Sequence, residues 1–315
     1  MVQELSEYIY YLLHKLTPSS SSPQHIFYQN WLKKSINFKR NIYNIRLTKC
    51  DHYDRIDVLD NFEGDIKLYY FADIHCHTLF NIDDGAQSFD VMKDMLDTAY
   101  SDGIRTICFT PHFKMYEFSS FKKIALLNEK IITHFDSAVS YVKEKYPDML
   151  LCLGNEIMYH SDVFDSLENS YCRTLNGGSY VLVEFQPSIS SHELMNSVSR
   201  FLRKGYIPVV AHIERYDALI KNPDLVKELK SMGAVLQINF ESILCFRFGK
   251  RARFIKSILK SRLVDVIASD AHNNSSFPQK LSKSHNYISK HYGEKFAEKL
   301  FSINPIAILN NEKIF

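Results

Sequence analysis

From about residue 68 onward, seven short apolar runs rich in β-forming residues recur, each separated from the next by a stretch long enough for a helix. They are Leu68–Ile74, Thr106–Phe109, Leu150–Leu153, Tyr180–Phe185, Pro208–Ala211, Ala234–Ile238 and Val264–Ala268. Helical spacing fills intervals at Phe89–Asp102, Phe121–Lys145, His192–Lys204, Pro223–Met232 and Gly249–Ser261. Gly103, Gly205 and Gly233 each follow such a helix, where a left-handed cap is wanted. Strands that alternate with helices pair in parallel. The pattern suits an open doubly wound sheet or a barrel-like closure. No GxGxxG or GxxxxGKS/T phosphate loop is present, which argues against a nucleotide site.

The first 66 residues have a different texture and are expected to form a helical and basic extension, with the main domain spanning 67–315. Leu5, Ile9, Leu12, Leu13 and Leu16 fall at helical spacing, and a polar TPSSSSP loop follows. From Thr17 to Cys50 there is no acid, while Lys33, Lys34, Lys39, Arg40, Arg46 and Lys49 lie among aromatic residues. Over the whole chain, 38 basic against 36 acidic residues leave a net charge of +2, so global charge makes no case for nucleic acid. No apolar run approaches the roughly 20 residues of a membrane span. Glu4 and Glu7 stand where a secretory signal wants basic residues. Six scattered cysteines form no CxxC pair. A cytoplasmic protein with reduced thiols, not integral to a membrane, is expected.

The chemistry is concentrated where strands end. The runs close in Asp73-Ile-His75-Cys-His77 followed by Asp83-Asp84-Gly85, then Thr110-Pro111-His112, Gly154-Asn155-Glu156, Glu184-Phe185, His212-Ile-Glu214-Arg215, Gln237-Ile-Asn239 and Ser269-Asp270-Ala-His272. In a parallel barrel these C-terminal ends form one rim, where catalytic residues gather. His75 and His77, two apart on a strand, point to one side, and Cys76 points to the other. So many carboxylates on one rim would cost several kcal/mol each, on the order of a buried unpaired charge, without cations to offset them. Mixed His and carboxylate ligands suit Mn²⁺, Fe²⁺ or Zn²⁺ at a catalytic site. Two or three closely spaced ions clamp the attacking and leaving oxygens of an in-line displacement, which is phosphoester chemistry.

Together, DIHCHTLFNIDDGAQS, TPHF, GNEIM, LNGGSYVLVEF, AHIERY, LQINFESIL and IASDAHN resemble the polymerase-and-histidinol-phosphatase (PHP) superfamily. Within it they are most similar to the manganese-dependent bacterial protein-tyrosine phosphatases of capsule and exopolysaccharide operons. The resemblance begins near Ala72 and runs to the end, where LFSINPIAILNNEKI resembles the closing helix. It implies a distorted (β/α)₇ barrel with a centre of three Mn²⁺ ions, Fe²⁺ and Zn²⁺ being alternatives. By that resemblance His75, His77 and Asp270 hold one ion, and Glu156 bridges it to a second held by Glu184 and His212. Asp84, His112 and His272 hold the third. Arg215 matches the phosphate-binding arginine, and Asp270 and Arg215 serve catalysis. A metal-bridging hydroxide would attack phosphotyrosine on a partner, a bacterial tyrosine kinase; homo-oligomerisation is left open.

One departure stands out. The family arginine after the Asp-x-His-Asn motif is missing from Asn274-Ser-Ser-Phe277, and Arg247, Lys250 and Arg251 are candidate replacements. A Cys-x₅-Arg phosphatase loop from Cys245 to Arg251 is disfavoured, because FRFGK offers one glycine where a phosphate cradle needs several exposed amides. The alternatives are a small-molecule phosphatase of the histidinol-phosphatase type, and a non-catalytic, metal-stabilised adaptor.

Overall fold

The computed structural model describes residues 45–50, 53–58, 70–118, 120–245, 248–274 and 278–314. The helix expected over residues 2–16 and most of the basic stretch lie outside them. Strands β1 (Ile45–Cys50) and β2 (Tyr53–Val58) pair antiparallel, in a unit ending at Leu68. No strand was expected there. The register sets Ile45 opposite Val58 and Leu47 opposite Ile56, with Arg46 opposite Asp57 and Lys49 opposite Asp54. Period-two alternation is a strand signal that the basic composition masks.

The second unit, Tyr69–Phe315, is built on parallel strands. They are β3 (Phe71–Cys76), β4 (Ile104–Phe109), β5 (His112–Phe113), β6 (Leu150–Leu153), β7 (Glu156–Met158), β8 (Tyr180–Glu184), β9 (Ile207–Val210), β10 (Val235–Asn239) and β11 (Val266–Ala268). One sheet runs β3-β4-β6 and the other β11-β10-β9-β8-β7-β5. β5 resumes the line of β4 after Thr110-Pro111, and β7 resumes β6 after Gly154-Asn155. These two interrupted strands make seven strand lines from nine segments. The seventh returns to the first: Asp270 N–H donates to His75 O at 2.8 Å, and His77 N–H to Ala271 O at 2.8 Å. The result is a distorted (β/α)₇ barrel, and the open-sheet option is set aside.

Each strand and helix expected between residues 68 and 268 is present with ends shifted by at most a few residues; Leu150–Leu153 and Phe121–Lys145 coincide with the expectation. Gly103, Gly205 and Gly233 adopt φ of 96°, 83° and 105°, the left-handed caps that only glycine adopts without strain. Ile74, Cys108, Cys152, Leu182, Val209, Val235 and Val266 fill the barrel interior. Ser88 and Ser190 cap the helices Phe89–Ser101 and Ser191–Arg203 through their side-chain oxygens. The base of the barrel is closed by the chain end. Ile308 and Leu309 join the interior cluster, and Tyr180 O–H donates to Glu312 O at 2.7 Å. Among the described residues, no helix is long and apolar enough to cross a membrane.

Candidate metal centre

β3 delivers His75 and His77 to the rim, both fully buried, with ring centroids 5.6 Å apart. Cys76 faces the outer core instead, and burial pushes its thiol pKa up to about 12. The chain then folds back on itself: Ala86 N–H donates to His77 O at 3.0 Å. A Cβ on Gly85 would lie 1.9 Å from His77 O, so no larger residue fits at this crossing. The fold-back places Asp83 beneath the cluster. Its Oδ2 accepts from His77 Nδ1 at 2.7 Å and from the His112 N–H at 2.9 Å. Asp84, the next residue, points outward, with Oδ1 at 3.5 Å from His112 Nε2 and 3.6 Å from His272 Nε2. His134, on the helix Phe121–Lys145, pins this loop from outside. It hydrogen-bonds Phe80 O at 2.8 Å through Nδ1 and stacks on the Phe80 ring at 4.0 Å.

Glu156 is the hub. Its Oε1 lies 2.9 Å from His212 Nε2 and 3.1 Å from His75 Nε2, and its Oε2 lies 2.8 Å from His112 Nδ1 and 3.4 Å from His77 Nε2. Asp270 Oδ1 stands 3.3 Å from His75 Nε2 and 3.4 Å from His77 Nε2. Glu184 Oε1 reaches His212 Nε2 at 3.3 Å. His212 and Asp270 carry φ of 33° and 53°, a left-handed backbone that non-glycine residues adopt only when the surroundings enforce it.

All nine expected ligands therefore converge on one rim. Three overlapping groups have ligand atoms within 4.8 Å of one another: His75, His77, Glu156 and Asp270; His77, Asp84, His112 and His272; and His112, Glu156 and Glu184. The first agrees with the expected grouping. In the others His77 and His112 each serve twice, and His212 meets Glu156 and Glu184 from the side.

The electrostatics explain why this set suits divalent ions. Burial alone would lower the pKa of His75, but the carboxylates of Glu156 and Asp270 more than reverse it. Burial likewise pulls His212 down, yet hydrogen bonds to Glu156 and Glu184 leave its pKa raised to about 9. Burial would raise Asp83, and the opposing charge of His77 brings it to about 2. Buried anions here demand positive charge, which protons or metal ions can provide. The ring nitrogens favour ions. His75 Nδ1 meets Gln237 Oε1 at 3.2 Å, His77 Nδ1 meets Asp83, and His272 Nδ1 meets Asp270 O at 2.8 Å. An acceptor at Nδ1 keeps the proton there and turns the Nε2 lone pair inward, as ligating histidines require. His75 Nε2, His77 Nε2 and Glu156 Oε2 are buried and face one another's groups at 2.8–3.4 Å without the alignment of a hydrogen bond. The donor set fits.

Arg215 Nη2 donates to Asp270 Oδ2 at 2.6 Å, and its side chain is 40% exposed, so it belongs to the rim and not to a remote surface pair. Of the candidate replacements for the missing arginine, Arg247 lies outside the described residues, and Lys250 and Arg251 open the helix Lys250–Lys260. Cys245 ends a short helix, Phe240–Cys245, that follows β10 directly, so it does not sit in a loop between a strand and a following helix's first turn as a phosphate-cradling cysteine would. Sequence reasoning passed over Asp83, although it adjoins Asp84. It also gave no role to Asn239, whose Nδ2 donates to Asp270 Oδ2 at 2.7 Å, or to Glu214, whose Oε1 accepts the Asn239 N–H at 3.0 Å. Asp73 accepts from Ser269 N–H at 3.0 Å and Gln279 Nε2 at 2.8 Å, tying β3 to β11.

Fold and rim together define a PHP-type barrel with a His/carboxylate cluster of the metal-ligand kind. The family described as "Capsular polysaccharide synthesis, CpsB/CapC" matches residues 71–310, and the chain belongs to it. Over 247 residues the chain is 37% identical to the tyrosine-protein phosphatase CpsB of Streptococcus pneumoniae, covering 77% of this chain and 99% of that one. It is 31% identical over 249 residues to the tyrosine-protein phosphatase YwqE of Bacillus subtilis, covering 77% and 93%. A solved structure from work on YwqE and CpsB, described as unique metal-dependent tyrosine phosphatases, superposes with a TM-score of 0.64 at 28% identity, over 78% of this chain and 96% of that one.

The raised pKa of His212 gives a pH signature. A histidine held above its unfolded value of about 6.5 stabilises the fold fully below that pH and loses the contribution as pH rises. The loss for His212 completes as pH passes about 9. The Tm of chelator-treated protein should therefore fall between these pH values, and Mn²⁺ should restore it most at the alkaline end; a flat profile would contradict the coupling. His134→Ala should loosen the Asp83–Asp84 loop. The Mn²⁺ concentration for half-maximal thermal stabilisation should rise about 10–100-fold, as for other supports of ligands.

Proposed function

We propose that this chain is a cytoplasmic, metal-dependent protein-tyrosine phosphatase acting on a phosphotyrosine segment of a partner protein, a bacterial tyrosine kinase of capsule or exopolysaccharide synthesis. The observation that carries the reading is the convergence of nine His, Asp and Glu side chains on one barrel rim beside Arg215, in a chain related to tyrosine phosphatases over its whole barrel. Residues 67–315 form the phosphatase domain, and 1–66 are an extension outside the chemistry.

In this reading His75, His77 and Asp270 would hold one Mn²⁺, Glu156, Glu184 and His212 would serve a second, and Asp84, His112 and His272 would hold a third. Divalent ions in such a centre supply Lewis-acid stabilisation and a hydroxide nucleophile at neutral pH. Asp83 and Gln237 keep protons on the Nδ1 atoms and leave the Nε2 lone pairs inward. Arg215 spends only Nη2 on Asp270, so the rest of its planar fork can face equatorial phosphate oxygens as charge spreads over them. No side chain need act as nucleophile, and no covalent phosphoenzyme is required.

The primary test is turnover of a phosphotyrosine peptide against histidinol phosphate after metal analysis. Dialysis against a chelator should abolish activity, and Mn²⁺ should restore it best. Cys245→Ser should retain turnover, while His75→Ala or Asp270→Ala should lower it by roughly 10²-fold or more. The opposite ranking would point to a thiolate nucleophile. Arg215→Ala should cost about 2–4 kcal/mol in kcat/KM without releasing metal. Wild-type kcat/KM in that variant would remove Arg215 from phosphate binding.

A further inference from the structure

The helix Lys250–Lys260, KRARFIKSILK, holds five cations and no acid. Ala252, Phe254, Ile255, Ile258 and Leu259 bury its inner side. Lys250, Arg253, Lys256 and Lys260 are exposed, and their spacing places them along one face. None of the four has an ion-pair partner among the described residues, whereas Lys93, Lys145, Lys204, Lys227 and Lys230 each hold a carboxylate. On the adjoining helices, Asp217 already pairs with Lys221, and Glu241 on Phe240–Cys245 forms no ion pair with this helix among the described residues and feels the charge of Asp270 instead. The first helical turn also holds no acid beside Lys250, where the positive end of the helix dipole adds to its charge. This face is therefore left in need of negative charge.

Beside it lies a cavity of about 320 Å³ lined by Ile220, Pro223, Lys250, Arg253, Phe254 and Ser257. The helix packs against Asp217–Lys221 and against the turn Ile213–Arg215, so the wall of this groove is continuous with the segment that presents Arg215 to the rim. An apolar pocket between unpaired cations suits an extended segment that alternates carboxylates with an apolar side chain. A membrane surface is a poorer match, because it would leave the apolar recess unused and usually needs a denser basic cluster.

We propose that this groove docks an acidic, extended segment of the phosphoprotein substrate, its apolar side chain seated among Ile220, Pro223 and Phe254 and its carboxylates on Lys250, Arg253 and Lys256. The proposal rests on the protein-tyrosine phosphatase reading and names the sequence character that its substrate carries beside the phosphotyrosine. Charge pairing of this kind acts on encounter and KM more than on the chemical step.

The test uses the full chain loaded with Mn²⁺ and two fluorescein-labelled peptides that carry a non-hydrolysable phosphonate in place of phosphotyrosine, identical except that one carries Glu where the other carries Gln. Binding is read by anisotropy at low salt, where surface attraction is least screened. The Glu peptide should bind about tenfold more tightly, a difference of roughly 1.4 kcal/mol. Arg253→Glu with Lys256→Glu should erase that preference, and Arg253→Gln with Lys256→Gln should reduce it. Hydrolysis of para-nitrophenyl phosphate should be unchanged in both variants. Equal affinities in the wild type, or a preference that survives charge reversal, would overturn the proposal. So would equal peptide binding with phosphatidylserine-vesicle binding that charge reversal removes, which would assign the helix to lipid. Absence of para-nitrophenyl phosphate hydrolysis by the Mn²⁺-loaded wild type would overturn the phosphatase reading itself, an outcome distinct from active enzyme without peptide preference.

Discussion

Two carboxylates that water barely reaches organise the molecule. Glu156 is 1% exposed and Asp270 4%. An ionised carboxylate in such a place costs several kcal/mol unless positive charge and hydrogen bonds surround it, on the order of what breaking a buried ion pair costs. The barrel meets the demand by bringing four imidazoles from three strand ends to Glu156, and by setting His75, His77, Arg215 and Asn239 around Asp270. Protons on those rings are one source of compensation, and divalent ions are the other. Both favour the same geometry, so the fold is prepared for ions before they bind.

That preparation is built into the main chain. Asp270 and His212 leave β11 and β9 with left-handed φ, a conformation costing about 1–3 kcal/mol at a non-glycine residue. Each is held by a specific hydrogen bond. The Asp270 N–H donates to His75 O, the bond that also helps close the barrel, and the His212 N–H donates to Gln237 Oε1 at 2.8 Å. Gln237 Oε1 faces His75 Nδ1 as well, so one amide fixes the turn of one ring and the orientation of another. Barrel closure and site assembly are thus the same event, which is why the candidate ligands cannot be separated from the fold that presents them.

Much of this was legible in the chain. Strand ends could be read because each apolar run stops at a polar residue, and His75-Cys-His77 declared its own facing by alternation. Whether the sheet closes could not be read from periodicity, since closure rests on main-chain bonds between residues almost two hundred positions apart, from His75 to Asp270. Nor could the breaks that split two strand lines at Thr110-Pro111 and Gly154-Asn155. Asp83 was hidden by its neighbour. In the run Asp83-Asp84-Gly85 both acids look alike, and only the fold-back over His77 sends one inward to support and the other outward. The strand pair at 45–58 is hard to read because its apolar residues are few and stand among basic ones, which resemble a solvated extension.

The three candidate groups are not equivalent, and burial ranks them. Every member of the group His75, His77, Glu156 and Asp270 is buried. With its ion removed, this group must draw in protons or endure desolvated charge, so a bound ion there gains the full relief of that repulsion. The group that includes Asp84 is different, because Asp84 is 68% exposed and water already solvates its carboxylate. An ion bound there gains less from neutralising Asp84, and its neighbours His112 and His272 are also partly open to solvent. On the proposed reading, the inner position is therefore a structural necessity as well as a catalytic one, and the outer position exchanges more readily. The outer position is also the more exposed part of the centre, so on the proposed reading a phosphate still attached to a protein tyrosine meets it first.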